Sequence, residues 1–423
     1  MRRKLYLLLV TTPLVAPTAF GAVSDEGFEQ LRRELQAVSK RLEELAAENA
    51  ELRRSQDRTA AVVADVQNSV APASWSERIR LDGDFRYRFE TIDIENSPSR
   101  DRNRIRARAN IRADVADDVE IGFGLATGSD DPVSTNQTLG GGTSSKNVVL
   151  DLVYADWKAT DGLHLIAGKY KNPLLRVGGQ PLMFDGDWRP EGIAVSYKRD
   201  WWFLNAIGAW FESDNRKAND NFSWGAQIGA AGEIGGGKLK GGIAYYSIKT
   251  KGESTTFGDP GDRDDYFGNT AVEPGGLPCG STPDTSCVFL HDYLLTEVFA
   301  EAALNVGNWP TVIYFDFVTN SDPADKDTGW TIGTRIGQAK DRGDIEFTYY
   351  YADKEADSMF GLVTDSDFGG GGVDNKGHFL KVNFGVNKNL SIGAQYFINE
   401  IDVSSSSRRD YERLMIDAQW KWK

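Results

Sequence analysis

Cysteine, histidine and methionine are scarce in this 423-residue chain: two, three and four of each, with only 14 prolines. So few histidines and cysteines leave little material for a metal centre or a nucleophile-base pair, and no cofactor is expected. Basic residues are in the minority as well, 48 Lys and Arg against 62 Asp and Glu, for a formal net charge of -14. A nucleic-acid partner asks for a basic face to neutralise phosphates, so none is expected. Long apolar runs are also missing. Beyond the N-terminus no stretch approaches the ~18 consecutive apolar residues that a spanning helix needs, so insertion into a bilayer must use strands.

Glycine and aromatic rings are abundant: 44 Gly, 11 Trp, 15 Tyr and 21 Phe. That mixture fits many strands and turns better than packed helices.

Residues 1–22 read as a secretory signal peptide. Arg2, Arg3 and Lys4 precede a mostly apolar stretch from Leu5 to Ala16, and Ala19, Gly21 and Ala22 offer a cleavage site. Pro13 and Pro17 interrupt the apolar run, which disfavours a retained membrane helix.

Residues 23–66 carry a heptad seam at Phe28, Leu31, Leu35, Val38, Leu42, Leu45, Asn49, Leu52, Gln56, Thr59, Val63 and Val66. The spacing alternates three and four without a slip, which predicts a helical coiled coil that joins copies of this chain. Asn49 on the seam costs stability and fixes register. Residues 67–75, with Pro72, read as a linker.

From residue 76 to 423 the period changes to two. In the first segment Ile79, Leu81, Phe85, Tyr87 and Phe89 alternate with Arg78, Arg80, Asp82, Asp84, Arg86, Arg88 and Glu90. In the second, Ile105, Ala107, Ala109, Ile111 and Ala113 alternate with Arg102, Arg104, Arg106, Arg108, Asn110 and Arg112. About sixteen such segments follow one another, the last ending in Trp420 and Trp422. Their connections alternate as well. Tight joins such as residues 116–118, 160–162 and 388–389 take every second place; long ones such as 128–147, 171–190, 250–289 and 354–376 take the rest.

The expected fold is therefore all-β: a transmembrane antiparallel β-barrel of about sixteen strands, preceded by the α-helical coiled coil. A bilayer core offers no hydrogen-bond partners, so every strand amide must pair and no edge can stay open. Both chain ends fall on the tight-turn side, which puts the coiled coil in the periplasm. Trp75, Trp157, Trp201, Trp420 and Trp422 near strand ends fit interfacial positions.

In this architecture, and in the stretches Gly168-Lys169-Tyr170-Lys171-Asn172-Pro173 and Asp187-Trp188-Arg189-Pro190-Glu191-Gly192, the chain resembles outer-membrane porins of Gram-negative bacteria that carry an N-terminal periplasmic coiled coil. The resemblance covers nearly all of the sequence beyond the signal. One departure is the end of the chain, Trp422-Lys423, where such barrels commonly end in Phe. The resemblance implies an outer-membrane location, lipid as a neighbour and a homo-oligomer, in particular a trimer; the heptads alone allow roughly two to four strands. It also implies a third long loop folded into the channel.

That loop here is residues 171–190, carrying Asp185 and Asp187, with Glu191 following. Facing it, Arg78, Arg80, Arg86, Arg88, Arg102, Arg104, Arg106, Arg108 and Arg112 form a basic wall. A field across a wet lumen passes small polar solutes and resists apolar ones. The bland alternative is that the arginines are neutralised by Asp82, Asp84, Glu90 and Asp114. Nine arginines against four such acids leave positive charge to spare, so the expected function is passive diffusion of small hydrophilic solutes and ions with mild anion preference. A substrate-selective anion or phosphate channel, and a structural tether acting through the coiled coil with a cell-wall contact, are the alternatives.

Cys279 and Cys287 enclose seven residues of the longest loop, and secretion favours a disulfide between them. Enzyme chemistry is not expected. His164, His291 and His378 stand in no nucleophile context, and Gly369 to Gly372 lacks the strand-to-helix setting of a phosphate loop, reading instead as loop flexibility.

Overall fold

The computed structural model describes residues 25–69, 76–179, 182–213, 221–254, 266–282, 285 and 287–423. The signal peptide, Trp75 and residues 70–74 of the expected linker lie outside them. The chain divides into two units, residues 1–74 and 75–423.

In the first unit a single helix, α1 (Asp25–Ser69), covers the whole heptad stretch and absorbs Gln67–Ser69, which corrects the expected start of the linker. Its 45 residues make a rod of roughly 68 Å at 1.5 Å per residue. Leu35, Val38, Leu42, Leu45 and Leu52 lie exposed along one stripe of the helix. Asn49 donates from its side chain to the Leu45 carbonyl at 3.1 Å, so on the isolated helix its amide is satisfied locally.

The second unit is an antiparallel barrel of sixteen long strands. They are β1 (Ile79–Ile94), β2 (Arg100–Ala116), β3 (Val119–Thr127), β4 (Val148–Thr160), β5 (Leu163–Lys169), β6 (Glu191–Arg199), β7 (Trp202–Glu212) and β8 (Asn221–Ile234), followed by β9 (Gly237–Ile248), β10 (Tyr293–Val306), β11 (Trp309–Asn320), β12 (Thr328–Gly337), β13 (Ile345–Lys354), β14 (Asn375–Gly385), β15 (Leu390–Ile401) and β16 (Arg409–Trp422). Each pairs with its neighbours in sequence, and β16 pairs back onto β1 from Trp422 opposite Gly83 to Tyr411 opposite Ile94, which closes the wall.

Burial is inverted relative to a protein that folds in water. Ile, Phe and Trp side chains such as Ile111, Phe123, Ile243, Ile313, Phe384 and Ile416 stand exposed, while Asp84, Arg88, Glu90, Arg106, Glu297 and Asp316 are buried. The two-residue period of the strands produces this: one face meets lipid, the other the lumen. Trp157, Trp201, Trp309, Trp420 and Trp422 all lie exposed near the tight-turn end, where amphipathic rings suit the bilayer boundary.

Two of the long connections fill much of the lumen, and a third, residues 128–147, reaches it with Val133, Thr135 and Asn136. The β5–β6 connection does so as the resemblance implied; the β13–β14 connection, residues 355–374, does so unannounced. Leu174, Leu182, Met183, Phe184 and Trp188 from the first pack with Met359, Phe360, Leu362 and Val363 from the second, against Tyr246, Tyr293, Leu295 and Val318 of the wall. One side of the lumen is therefore dry and filled, and the two openings left at its ends are bordered by β1, β2 and β16. Gly369–Gly372 belong to this packed insert, which corrects their reading as a flexible stretch: Gly372 has φ 72°, and a Cβ there would meet the Phe267 carbonyl at 2.2 Å.

The described residues before β10 pack onto the β13–β14 connection, Phe289 against Phe360 and the Asn269 side chain donating to the Ala356 and Met359 carbonyls; within this stretch Cys279 and Cys287 are joined, their Cα atoms 5.8 Å apart.

Candidate pore

The arginines reach the lumen through pairing geometry. Register sets Arg80 opposite Arg112, Arg86 opposite Arg106 and Arg88 opposite Arg104 across β1 and β2. Directly opposed like charges destabilise a sheet, so carboxylates must come between them. Asp84 takes Arg106 and Arg108 from within the wall, at 2.8 and 2.7 Å. Asp82 takes Arg112 at 2.7 Å, and Asp114 with Glu120 takes Arg80.

The remaining acids arrive from far away in the sequence. Asp417 of β16 lies opposite Arg88 and accepts from it in two hydrogen bonds, at 2.7 and 2.9 Å. From the first inward loop, Asp187 accepts from Arg108 at 2.8 Å and stands 3.6 Å from Arg106. From the second, Asp367 bridges Arg88 at 3.1 Å and Arg413 at 2.9 Å. Arg88 and Arg413 side chains are each 2% exposed, so these pairs are screened from water. Glu90, fully buried, serves three guanidinium groups: Arg102 at 2.6 Å, Arg104 at 3.7 Å, and Arg413 in close contact.

This leaves an imbalance. Arg104 has only the distant Glu90, and Arg86 bonds the neutral Asn136 with no carboxylate paired to it among the described residues. The arginines are thus largely paired, and two of them, Arg86 and Arg104, are less closely compensated than the rest.

The loop carboxylates divide by environment. Burial works against ionising Asp187, but Arg106, Arg108, Arg189 and Arg86 outweigh it and hold that carboxyl below its ordinary range. Asp367 is likewise held down, Arg413, Arg88 and Arg86 overcoming its burial. Asp185 and Asp365 are pushed up instead, first by burial and then by neighbouring carboxylates.

Three sequence expectations need correcting. Arg78 sits in a short helical turn ahead of β1, exposed and 3.9 Å from Asp117, at the tight-turn rim and not on the lumen wall. Glu191 shares its strand face with Ile193, which is 53% exposed, and pairs at 2.6 Å with Lys169 on the outward side. Asp185 turns away from the arginines: its carboxylate accepts the backbone amides of Asp187 and Ser366, tying the two inward loops together. Among the residues that sequence reasoning missed are Asp367, Arg413, Asp417 and Arg189, the last 3.3 Å from Asp151. For the second loop a signal existed: Met359, Phe360, Leu362, Val363 and Phe368 are an unusual apolar load for an exposed connection.

Two cavities flank the Arg86–Arg106 level. One of about 450 Å³ opens by the tight-turn end, along Asp82, Asp84, Arg108, Lys171 and Lys421. The other, of about 600 Å³, opens by the long-loop end along Arg102, Arg104, Arg413 and Tyr411.

A closed barrel with a lipid-ready exterior and a charge-lined lumen, narrowed by inward loops, defines an outer-membrane channel. The family described as "Putative porin" matches residues 91–266 and 291–417. The chain belongs to that family: it is an outer-membrane porin, a channel protein and not an enzyme.

Among solved structures, OprB of Pseudomonas putida at high pH is 12% identical over 82% of this chain and 95% of its own, with a TM-score of 0.53. OmpF of Salmonella typhi, in complex with daunomycin, is 12% identical over 81% of this chain and 97% of its own, with a TM-score of 0.47. OmpT of Vibrio cholerae, in its trimer form, is 12% identical over 81% and 99%, with a TM-score of 0.46. At such identity the OprB likeness speaks for the fold alone. No curated protein matches the chain in sequence.

Proposed function

We propose that this porin is a passive diffusion channel for small hydrophilic solutes and ions, with mild anion preference. The openings lie beside the wall of β1, β2 and β16, with Arg80, Arg86, Arg102, Arg104, Arg106, Arg108 and Arg112 as the basic lining, Arg88 shielded behind it by Asp417 and Asp367, and Asp187 as the acid that narrows it. The observation that carries the preference is the imperfect compensation of Arg86 and Arg104. Fixed positive charge in a narrow, low-dielectric passage raises the local concentration of anions. In this reading α1 is a periplasmic coiled coil joining protomers into a trimer; its exposed leucine stripe supports self-association. Residues 1–22 are the export signal.

The test is the zero-current potential of the purified porin in a planar bilayer under a KCl gradient. Its sign should report anion preference, and replacing Arg104, Arg106 and Arg108 with Gln should move it toward cations. An unchanged potential would refute the role given to the arginines. A selective anion channel is the second reading, favoured by the larger cavity at the long-loop end. Competition of chloride current by phosphate separates it from the general pore.

A further inference from the structure

The cavity of about 600 Å³ at the long-loop end has the size of a small-molecule site and a built polar lining. Its wall carries Arg102, Arg104 and Arg413, three guanidinium groups gathered over one buried carboxylate, Glu90. Asp367 helps to balance Arg413, but it is shared with Arg88. Tyr411 lines the same space, and its buried hydroxyl has no hydrogen-bond partner among the described residues. Ser134 and Ser366 face it from the loops. Two acids also line it: Asp402, paired with Arg409, and Asp131, which accepts from the Val133 amide.

A guanidinium group holds five N–H donors and no acceptor, so three that share one carboxylate retain donors for another acceptor. Carboxylate and phosphate oxygens match that fork geometry; chloride cannot use more than a fraction of it. The cavity lies on the long-loop side of the Arg86–Arg106 level.

We propose that the cavity walled by Arg102, Arg104, Arg413 and Tyr411 is a binding station for the oxyanion group, carboxylate or phosphate, of a small hydrophilic solute. The station rests on the reading of the protein as an anion-preferring diffusion pore and names the chemistry that the pore holds transiently. Arg104 is its anchor, being the least closely paired of the three arginines gathered over Glu90. Tyr411 donates to the same oxyanion or to a hydroxyl beside it.

The experiment is a current-block titration of the purified full chain in a planar bilayer. Inorganic phosphate and gluconate are added separately to KCl, with glucose as the neutral comparison. Phosphate or gluconate should reduce chloride current saturably where glucose at equal concentration does not. Arg104→Gln should raise the half-blocking concentration about tenfold, the worth of one charge-assisted hydrogen bond. Because Arg104 has little to lose inside the fold, this variant should keep the heat-modifiable migration of the folded barrel. Tyr411→Phe, which keeps the ring, should weaken block by a smaller factor.

Block by phosphate alone identifies an inorganic oxyanion, and block by gluconate alone an organic acid; either supports the station. Chloride current with anion preference but no saturable block by either, or block equally strong in Arg104→Gln, overturns the station and leaves the diffusion pore standing. Absence of any KCl current overturns both.

Discussion

Arg88 and Arg104 occupy directly opposed positions on β1 and β2, like charge facing like charge in the middle of the wall. Arg88 is neutralised from both sides, by Asp417 and Asp367, whereas Arg104 has only Glu90 at 3.7 Å, which it shares with Arg102 and Arg413. Glu90→Gln should therefore leave Arg102 and Arg104 without their carboxylate and Arg413 with Asp367 alone. Breaking a buried ion pair costs roughly 3–5 kcal/mol, so the folded barrel should lose its resistance to SDS at a clearly lower temperature. Adding Arg104→Gln to that variant should recover part of the loss, since the two changes act on one network. Independent, additive effects would contradict the shared-carboxylate arrangement.

Asp187 is the link between the first inward loop and the wall, through Arg108 and Arg106. Asp187→Asn should release that tether and leave two arginines with Asp84 alone. The expected results are a zero-current potential shifted further toward anions and a larger, noisier conductance. A variant with unaltered selectivity and unaltered noise would mean that the loop is held by its apolar packing alone.

Acid acts on the two inward loops in opposite senses. Asp185 and Asp365 have carboxyls pushed up by burial and by neighbouring carboxylates, so their protonated forms are the ones the folded loops favour. Their contribution to stability is complete below the ordinary carboxylate value of ~4 and is lost as pH rises through the raised values. Asp187 and Asp367 are held low by arginines, and their contribution is present above ~4 and lost only in stronger acid. Lowering the pH from neutral toward ~5 should accordingly quiet current fluctuations by tightening the contact between the loops, and Asp185→Asn should flatten that dependence. Noise that grows on mild acidification would contradict these assignments.

The Cys279–Cys287 bridge closes a short loop whose Cys279 end is exposed and whose Cys287 end is buried. Reduction should leave KCl conductance and SDS resistance unchanged while speeding proteolysis between residues 273 and 290. A drop in barrel stability on reduction would show that this loop carries more of the fold than its position suggests.

The apolar stripe of α1 predicts that replacing Leu42 and Leu45 with Asp reduces the assembled state of the protein in mild detergent. Light scattering would read the mass. Unchanged assembly would remove α1 from the interface and leave the barrels to hold themselves together.

The strands were legible because a wall between lipid and water imposes a period of two that nothing else in the chain obscures. The long connections expected at residues 128–147 and 171–190 are bounded by β3 ending at Thr127, β4 starting at Val148, β5 ending at Lys169 and β6 starting at Glu191. What escaped is non-local. Asp417 meets Arg88 across 329 positions because closure brings β16 beside β1, and no local pattern encodes which lumen acid will face which arginine. The outward aim of Glu191 was available from its parity with Ile193, but its place beside the inward loop drew it to the wrong side. The second inward loop hid among glycines and aspartates, and only its apolar residues betrayed that it would be buried.

The most direct measurement is single-channel recording from the purified full-length protein in a planar bilayer under symmetric KCl. A water-filled barrel assembled from three copies predicts discrete conductance increments that close in three equal steps. Insertion with no conductance above the bare bilayer would contradict the pore itself; closure always in one step would contradict the trimer.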